Sequence, residues 1–189
     1  MTFETERLIL RPWEESDAED LYEYAKDPRV GPAAGWPVHT SVENSRDIIR
    51  NVLSAPHTYA MVLKETGRAV GSIGLKFREN SDLPLHDNEA ELGYWLGVPY
   101  WGQGLTTEAA IFLRDYAFRD MKLEKLWCGY YEGNERSWRV QEKCGFFYRF
   151  TRGGVYLPLL DTYRDERVSM INYHEWLGYQ LYLETHPEK

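Results

Sequence analysis

EAELGYWLGVPYWGQGLTTEA, residues 89 to 109, changes its periodicity twice. Ala90, Leu92, Tyr94, Leu96 and Val98 fall on one face of an alternating strand, with Glu89, Glu91, Gly93, Trp95 and Gly97 on the other. Pro99 cannot donate to a strand ladder and ends it. Leu105, Ala109, Phe112, Leu113 and Tyr116 then recur at helical spacing, so a helix starts just past Trp101-Gly102-Gln103-Gly104. The two glycines of that turn can present successive backbone N–H groups to an anion at the positive end of the helix dipole. The pattern is not a P-loop, because no Gly-Lys-Ser/Thr follows the first glycine. Gly102-x-Gly104-x-x-Thr107 also lacks the third glycine of a dinucleotide fingerprint. It predicts a phosphate-binding turn with a carboxylate one strand away.

Bulk properties bound the rest. A chain of 189 residues, 43% hydrophobic with 7 Trp and 14 Tyr, predicts one packed domain over residues 1–189 instead of disorder. No apolar run approaches the ~18 residues of a membrane span, and the N-terminus lacks a signal-peptide pattern. Cys128 and Cys144 are too few for a disulfide framework or a metal site, and read as core thiols in a reducing cytoplasm. No cluster of His, Cys and acidic residues has ligand spacing, so no metal is expected. The net charge of −8 disfavours a nucleic-acid partner.

Working outward, Phe3 to Trp13 reads as a strand, and Ser16 caps a helix to about Ala25. The Gly- and Pro-rich stretch to Val38 is a loop bearing Trp36. A helix from Ser41 to about Ser54 precedes a hairpin of Thr58 to Leu63 and Ala69 to Phe77, then a polar loop from Arg78 to Asn88. The central helix runs to about Asp120 and is followed by a strand, Lys125 to Tyr131. Asn134 caps a further helix ending at Cys144, with Gly145 suited to the left-handed position after it. Strands from Phe146 to Arg152 and from Arg164 to Asn172 flank a long loop, and a helix or tail starts near His174. His39, His57, His86, His174 and His186 all read as loop, boundary or tail residues. The order β-α-α-β-β-β-α-β-α-β-β predicts an α/β (α+β) fold on a mixed, mostly antiparallel sheet.

Four stretches together resemble the GNAT acyltransferases, in particular the branch that acetylates the N-termini of ribosomal proteins. They are Thr5-Glu6-Arg7-Leu8-Ile9-Leu10-Arg11, Trp101-Gly102-Gln103-Gly104-Leu105-Thr106-Thr107-Glu108-Ala109, Asn134-x-x-Ser137 and Lys143-Cys144-Gly145-Phe146. The resemblance implies six or seven strands with helices on both faces. It also implies that the central strand and the Lys125 to Tyr131 strand splay apart at their C-terminal ends to admit the pantetheine arm of acetyl-coenzyme A. Trp101, Gly102, Gln103, Gly104, Leu105, Thr106 and Thr107 would then hold the diphosphate. Asn134 would reach pantetheine, and Lys143 the 3′-phosphate.

Acyl transfer from a thioester to an amine needs a neutral amine, a stabilised carbonyl oxygen, a quenched thiolate and alignment. Backbone pairing of pantetheine along Leu96, Gly97 and Val98 supplies alignment, and a free N–H near Leu96 or Gly97 faces the carbonyl oxygen. Glu91, beside Gly93, is the expected base, though it also suits a plain ion pair with Lys or Arg; Glu89 is the fallback. Trp36 and Trp95 are the aromatics expected at the acceptor, Trp36 being equally suited to packing against the body. Glu108 complements the helix dipole. Many family members carry a tyrosine, seven residues after the asparagine, that protonates the thiolate; here that position is Gln141. The resemblance passes the role to Ser137, which also suits a second capping hydroxyl, or else to solvent, Tyr130 or Tyr131. The expected activity is direct attack of a protein or peptide N-terminal α-amine on acetyl-coenzyme A. The alternatives are a polyamine or aminoglycoside-like acceptor, or a non-catalytic acyl-coenzyme A-binding regulator. A homodimer is compatible with the resemblance, and residues 31–40, 78–88 and 153–163 are the loops expected to choose the acceptor.

Overall fold

The computed structural model describes residues 1–185, so His186 lies outside the described residues. The first half contains β1 (Phe3–Glu4), β2 (Leu8–Arg11), α1 (Ala18–Ala25), α2 (Gly31–Ala34), α3 (Val42–Ile48), β3 (Thr58–Leu63) and β4 (Ala69–Lys76). The second contains β5 (Glu89–Leu96), α4 (Leu105–Arg119), β6 (Lys125–Tyr131), α5 (Glu135–Lys143), β7 (Phe147–Leu157), β8 (Thr162–Asn172) and α6 (Tyr173–Thr185). The strands form one sheet in the order β1-β2-β3-β4-β5-β6-β8-β7. Neighbours are antiparallel except β5 and β6, which run parallel and are joined by α4, as a crossover requires.

The sheet has eight strands, not six or seven. Thr5 donates its amide to the Leu8 carbonyl at 2.9 Å, which folds the expected first strand into two short ones. The β7–β8 hairpin is also longer than the sequence implied. Gly153-Gly154 reads as loop, but the pair lies within β7, where the register shifts between Arg152 and Val155 and Gly154 takes a φ of +62°. The Gly154 amide donates to Asp165 Oδ1 at 2.8 Å, so the bulge is paired and the hairpin continues.

Two apolar layers cover the sheet. Leu105, Ala109, Leu113, Ala117 and Phe118 of α4 bury against Leu8, Leu10, Ala90, Leu92 and Leu126, each fully buried Leu or Phe contributing ~1.5–3 kcal/mol. On the opposite face Leu21 and Ala25 of α1, with Trp13 and Ile49, cover Ala60, Val62 and Ala69. Trp176 of α6 stacks on Phe118 with ring centroids 5.5 Å apart. Arg114 is buried, donates to the Cys144 carbonyl at 2.8 Å and to Asp115, and so ties α4 to the end of α5, where Gly145 takes a φ of +78°. Among the described residues no helix is long and apolar enough to cross a membrane, and no group of His, Cys, Asp and Glu is placed to hold a metal ion.

Glu108 does more than complement the α4 dipole. Its Oε1 accepts from Thr5 Oγ1 at 2.5 Å and from the Arg7 amide at 2.8 Å, and its Oε2 from Arg7 Nε at 2.7 Å. The β1–β2 turn is thereby docked on the start of α4. Burial raises the Glu108 carboxyl, but the hydrogen bonds from Thr5 and Arg7 outweigh it and hold it below the usual range. A lowered carboxyl contributes stability that is present above its unfolded value and lost as pH falls through the folded one. Glu108→Gln should therefore destabilise the protein by about 1–2 kcal/mol near neutral pH. The difference from wild type in denaturant unfolding should shrink as the medium is made acidic.

Candidate active site

Strands β5 and β6 pair only from Glu89↔Lys125 to Glu91↔Trp127. Beyond that, β5 stays with β4 as far as Gly71↔Leu96, and β6 stays with β8 as far as Tyr131↔Glu166. The two central strands separate between these braces. Glu89 lies at the closed end, 2% exposed, with Lys125 Nζ on Oε1 at 2.7 Å and Trp127 Nε1 on Oε2 at 2.8 Å. Burial raises its carboxyl, yet those two bonds prevail and keep it below the ordinary range. Glu89 is a fastening between strands, which removes it as the fallback base.

At the open end stands the glycine turn. Gly102 and Gly104 have φ values of +76° and +79°, which only glycine adopts without strain. The backbone amides of residues 102–107 donate to nothing among the described residues, and the first intrahelical bond runs from the Glu108 amide to the Gly104 carbonyl at 2.9 Å. The named side chains of the turn fold inward. Trp101 Nε1 donates to the Leu96 carbonyl at 2.8 Å, and Gln103 Nε2 to the Pro99 carbonyl at 3.0 Å. Leu105 and Thr106 are buried, Thr107 half-buried. Arg7 NH1 grips the Gln103 carbonyl at 2.8 Å, and the Arg136 guanidinium lies 3.8 Å over the Trp101 ring. Six free amides, a helix N-terminus and two arginines fit a diphosphate. From sequence neither arginine is named as a site residue: Arg7 enters only within the Thr5 to Arg11 stretch, and Arg136 not at all.

The backbone between these ends corrects one expectation. The Gly97 amide donates to the Val70 carbonyl at 2.8 Å and is unavailable to a ligand; its glycine instead admits the Tyr24 ring, 2.7 Å from where a Cβ would be. The carbonyls of Leu96, Gly97 and Val98 accept from Trp101 Nε1, Tyr100 and Trp101 amides respectively. Strand alternation then turns the Leu96 N–H away from β4, toward the side that β6 has left. Leu96 remains the candidate donor to a carbonyl oxygen.

From α5 come Asn134 and Ser137. Asn134 Oδ1 accepts from the Ser137 amide at 3.3 Å, the helix cap read from the sequence, while its Nδ2 donates to the Ala33 carbonyl at 3.4 Å. The Ser137 hydroxyl is not a second cap: it meets Tyr94 Oη at 3.0 Å and Gln141 Nε2 at 3.4 Å. Tyr94 was read only as an apolar-face residue of the central strand. Burial lifts its phenol well above the usual tyrosine value, so it stays a hydroxyl. Lys143 ends α5 exposed, with no ion pair among the described residues. Cys128 and Cys144 are buried, and burial pushes the Cys144 thiol up to about 12 and Cys128 up as well, so neither supplies a thiolate near neutral pH.

Glu91 faces the other side of the sheet. Lys76 Nζ lies 3.3 Å from its Oε1, the ion pair that its sequence also suits, and Ser81 Oγ donates to its Oε2 at 2.6 Å. On the same face Trp95 stacks with Trp13 at 6.2 Å and meets Trp36 edge-on at 5.8 Å. Trp36 thus packs on the body, one of the two roles its sequence allowed, and stands beside Trp95 on the Glu91 side.

The sequence matches the acetyltransferase (GNAT) domain family over residues 7–147. It is 34% identical over 130 residues to the uncharacterized N-acetyltransferase p20 of Bacillus licheniformis, covering 66% of this chain and 70% of that protein. The crystal structure of the GNAT-family acetyltransferase from Bacillus anthracis superposes with a TM-score of 0.80 at 25% identity, over 92% of this chain and 99% of that one. The ribosomal-protein-S5-alanine acetyltransferase of Vibrio fischeri shares the fold, with a TM-score of 0.71 at 20% identity over 93% and 98% of the two chains.

A valine at 104 would combine left-handed strain of about 1–2 kcal/mol with bulk beside the free amides. Gly104→Val should stay folded and lose measurable coenzyme A binding by calorimetry. Unchanged affinity in the folded variant would rule the turn out as the diphosphate site.

Proposed function

The chain belongs to the GNAT acetyltransferase family, and from that premise we propose that it transfers an acetyl group from acetyl-coenzyme A to a protein or peptide N-terminal α-amine by direct attack. The observation that supports this reading is the row of unbonded amides at residues 102–107 just past β5, a strand that carries the Ser137–Tyr94 hydroxyl pair on one face and Glu91 on the other. The amides of 102–107, with Arg7 and Arg136 nearby, hold the diphosphate, and Leu96 and Asn134 are the residues available to pantetheine. The bound thioester supplies the activated acetyl carbon.

Every other part is played by side chains and backbone of the chain. The Leu96 N–H supports negative charge on the carbonyl oxygen. Glu91, on the acceptor face, takes a proton from the incoming ammonium, directly or through one water. Ser137, its hydroxyl oriented by Tyr94 and Gln141, holds a proton toward the departing sulfur, in place of the tyrosine absent at position 141. Direct attack is supported by the two buried thiols, neither of which offers a nucleophile. An α-amine, with a pKa of ~7.7–8.0 against ~10.4 for lysine, asks less of a carboxylate base. The protein named as a ribosomal-protein-S5-alanine acetyltransferase in Vibrio fischeri supports a protein acceptor within this fold.

Coenzyme A release should be fastest with N-terminal peptides in a panel that includes polyamines and aminoglycosides; a clear preference for either of those would refute the α-amine assignment. Glu91→Gln should bind coenzyme A normally while turnover falls ~10²–10⁴-fold, with partial recovery at high pH where amines deprotonate unaided. Ser137→Ala should lower kcat about 10-fold, or about 1.4 kcal/mol, without raising the KM for acetyl-coenzyme A. Single-turnover measurements will show whether that loss is in the chemical step.

A further inference from the structure

The acceptor face holds a second carboxylate, which nothing above employs. Glu166 stands on β8 opposite Tyr131 of β6, beyond the last β5–β6 pair, with its side chain 8% exposed. It leans over the β6 backbone at Gly129, where any Cβ would overlap Glu166 Oε1. A glycine is therefore required for the carboxylate to lie where the central strands have parted. Arg152 donates from Nε to Glu166 Oε2 at 2.7 Å and from NH2 to the same oxygen. Arg152 NH1 in turn donates to the Asp82 carbonyl at 3.0 Å. One oxygen is thus clamped, while Oε1 accepts no hydrogen bond among the described residues.

This carboxylate shares its surroundings with the Glu91 site. Burial, and then the negative charge of Glu91, lift Glu166 above the ordinary carboxyl value against the pull of Arg152. The Tyr131 phenol is pushed up to about 12 by its own burial and by the charges of Glu166, Asp82 and Glu91. A desolvated carboxylate with one oxygen tied and the other open is an incomplete ion pair. The open oxygen is left to solvent or to a donor that arrives with a ligand, and a cationic N–H donor restores more of what burial took from it than a neutral one. The acceptor of this reaction is such a donor: a primary amine that reaches the site as an ammonium.

Resting on the reading of this face as the acceptor side, we propose that Glu166 Oε1 receives the acceptor's ammonium and selects cationic primary amines, with Arg152 fixing its position and proton removal left to Glu91. Glu166 is then a binding and specificity residue, and its loss acts on acceptor KM more than on kcat.

Steady-state kinetics of the full chain, with an N-terminal peptide and a polyamine varied separately against acetyl-coenzyme A, test this. Glu166→Gln should raise the acceptor KM at least ~10-fold, the worth of one charge-assisted hydrogen bond, with the KM for acetyl-coenzyme A unchanged and kcat affected less. Gly129→Ala keeps the charge but displaces the carboxylate, should show the same split, and decides the matter if Glu166→Gln does not fold. An unchanged acceptor KM in either folded variant, or a fall confined to kcat, overturns the assignment. Wild-type protein that turns over polyamines but no peptide refutes the α-amine reading alone, and Glu166 is then judged on the polyamine KM by the same criterion. A wild type inactive on every amine overturns both.

Discussion

Glu89 fastens the two central strands at one end, and the site depends on the fact that, among the described residues, no ladder pairing joins them at the other. Its carboxylate takes Lys125 on one oxygen and Trp127 on the other, both from β6, at the three-pair ladder where the parallel strands still touch. A buried carboxylate with both oxygens satisfied resists rearrangement, because removing either partner would leave a desolvated charge uncompensated. With that end fixed, β4 and β8 hold the outer edges of the two strands, so they diverge in a defined direction. The glycine turn, the Leu96 amide and the Ser137–Tyr94 pair then fall along one opening.

The opening has two chemically distinct sides because a strand alternates. Tyr94 and Leu96 project toward α4 and α5, where free amides and arginines favour an anionic, sulfur-bearing partner. Glu91 and Trp95 project the opposite way, and Glu166 joins them from β8, where carboxylates and aromatics favour a cationic one. In the proposed reaction, one eight-residue strand would therefore separate two substrates of opposite charge and let them meet only at its unpaired edge.

Much of this could be read from sequence where the signal is local. The strand–turn–helix of residues 89–119, the cap at Asn134 and the left-handed Gly145 follow from alternation, helical spacing and turn chemistry, each fixed within a few residues. What escaped depends on partners far away in the chain. Glu166 sits in Arg164-Asp165-Glu166-Arg167, which looks like a solvated charged edge, and it is buried only because Gly129 on another strand leaves space for it. Glu108 looked like a dipole residue until the β1–β2 turn was folded onto it. Gly97 was credited with a free amide because the pairing of β4 with β5 continues one residue further, to Val70, than the alternation alone indicates. Gly153-Gly154 gave a loop signal because a bulge and a turn use the same residue.

The brevity of the β5–β6 ladder also has a mechanical meaning. Inside the sheet, from β2 to β7, no neighbouring strands share fewer register pairs. The sheet is consequently two stiff plates, β1–β5 and β6–β8, joined along a short seam with Glu89 as its pin. Past Glu91 no ladder bond crosses from one plate to the other, so the gap can widen or narrow without breaking a backbone hydrogen bond. Backbone pairing is concentrated at the seam, and the mouth is bridged by side chains instead, Tyr94 on Ser137, Asn134 on the Ala33 carbonyl and Arg164 on the Pro32 carbonyl.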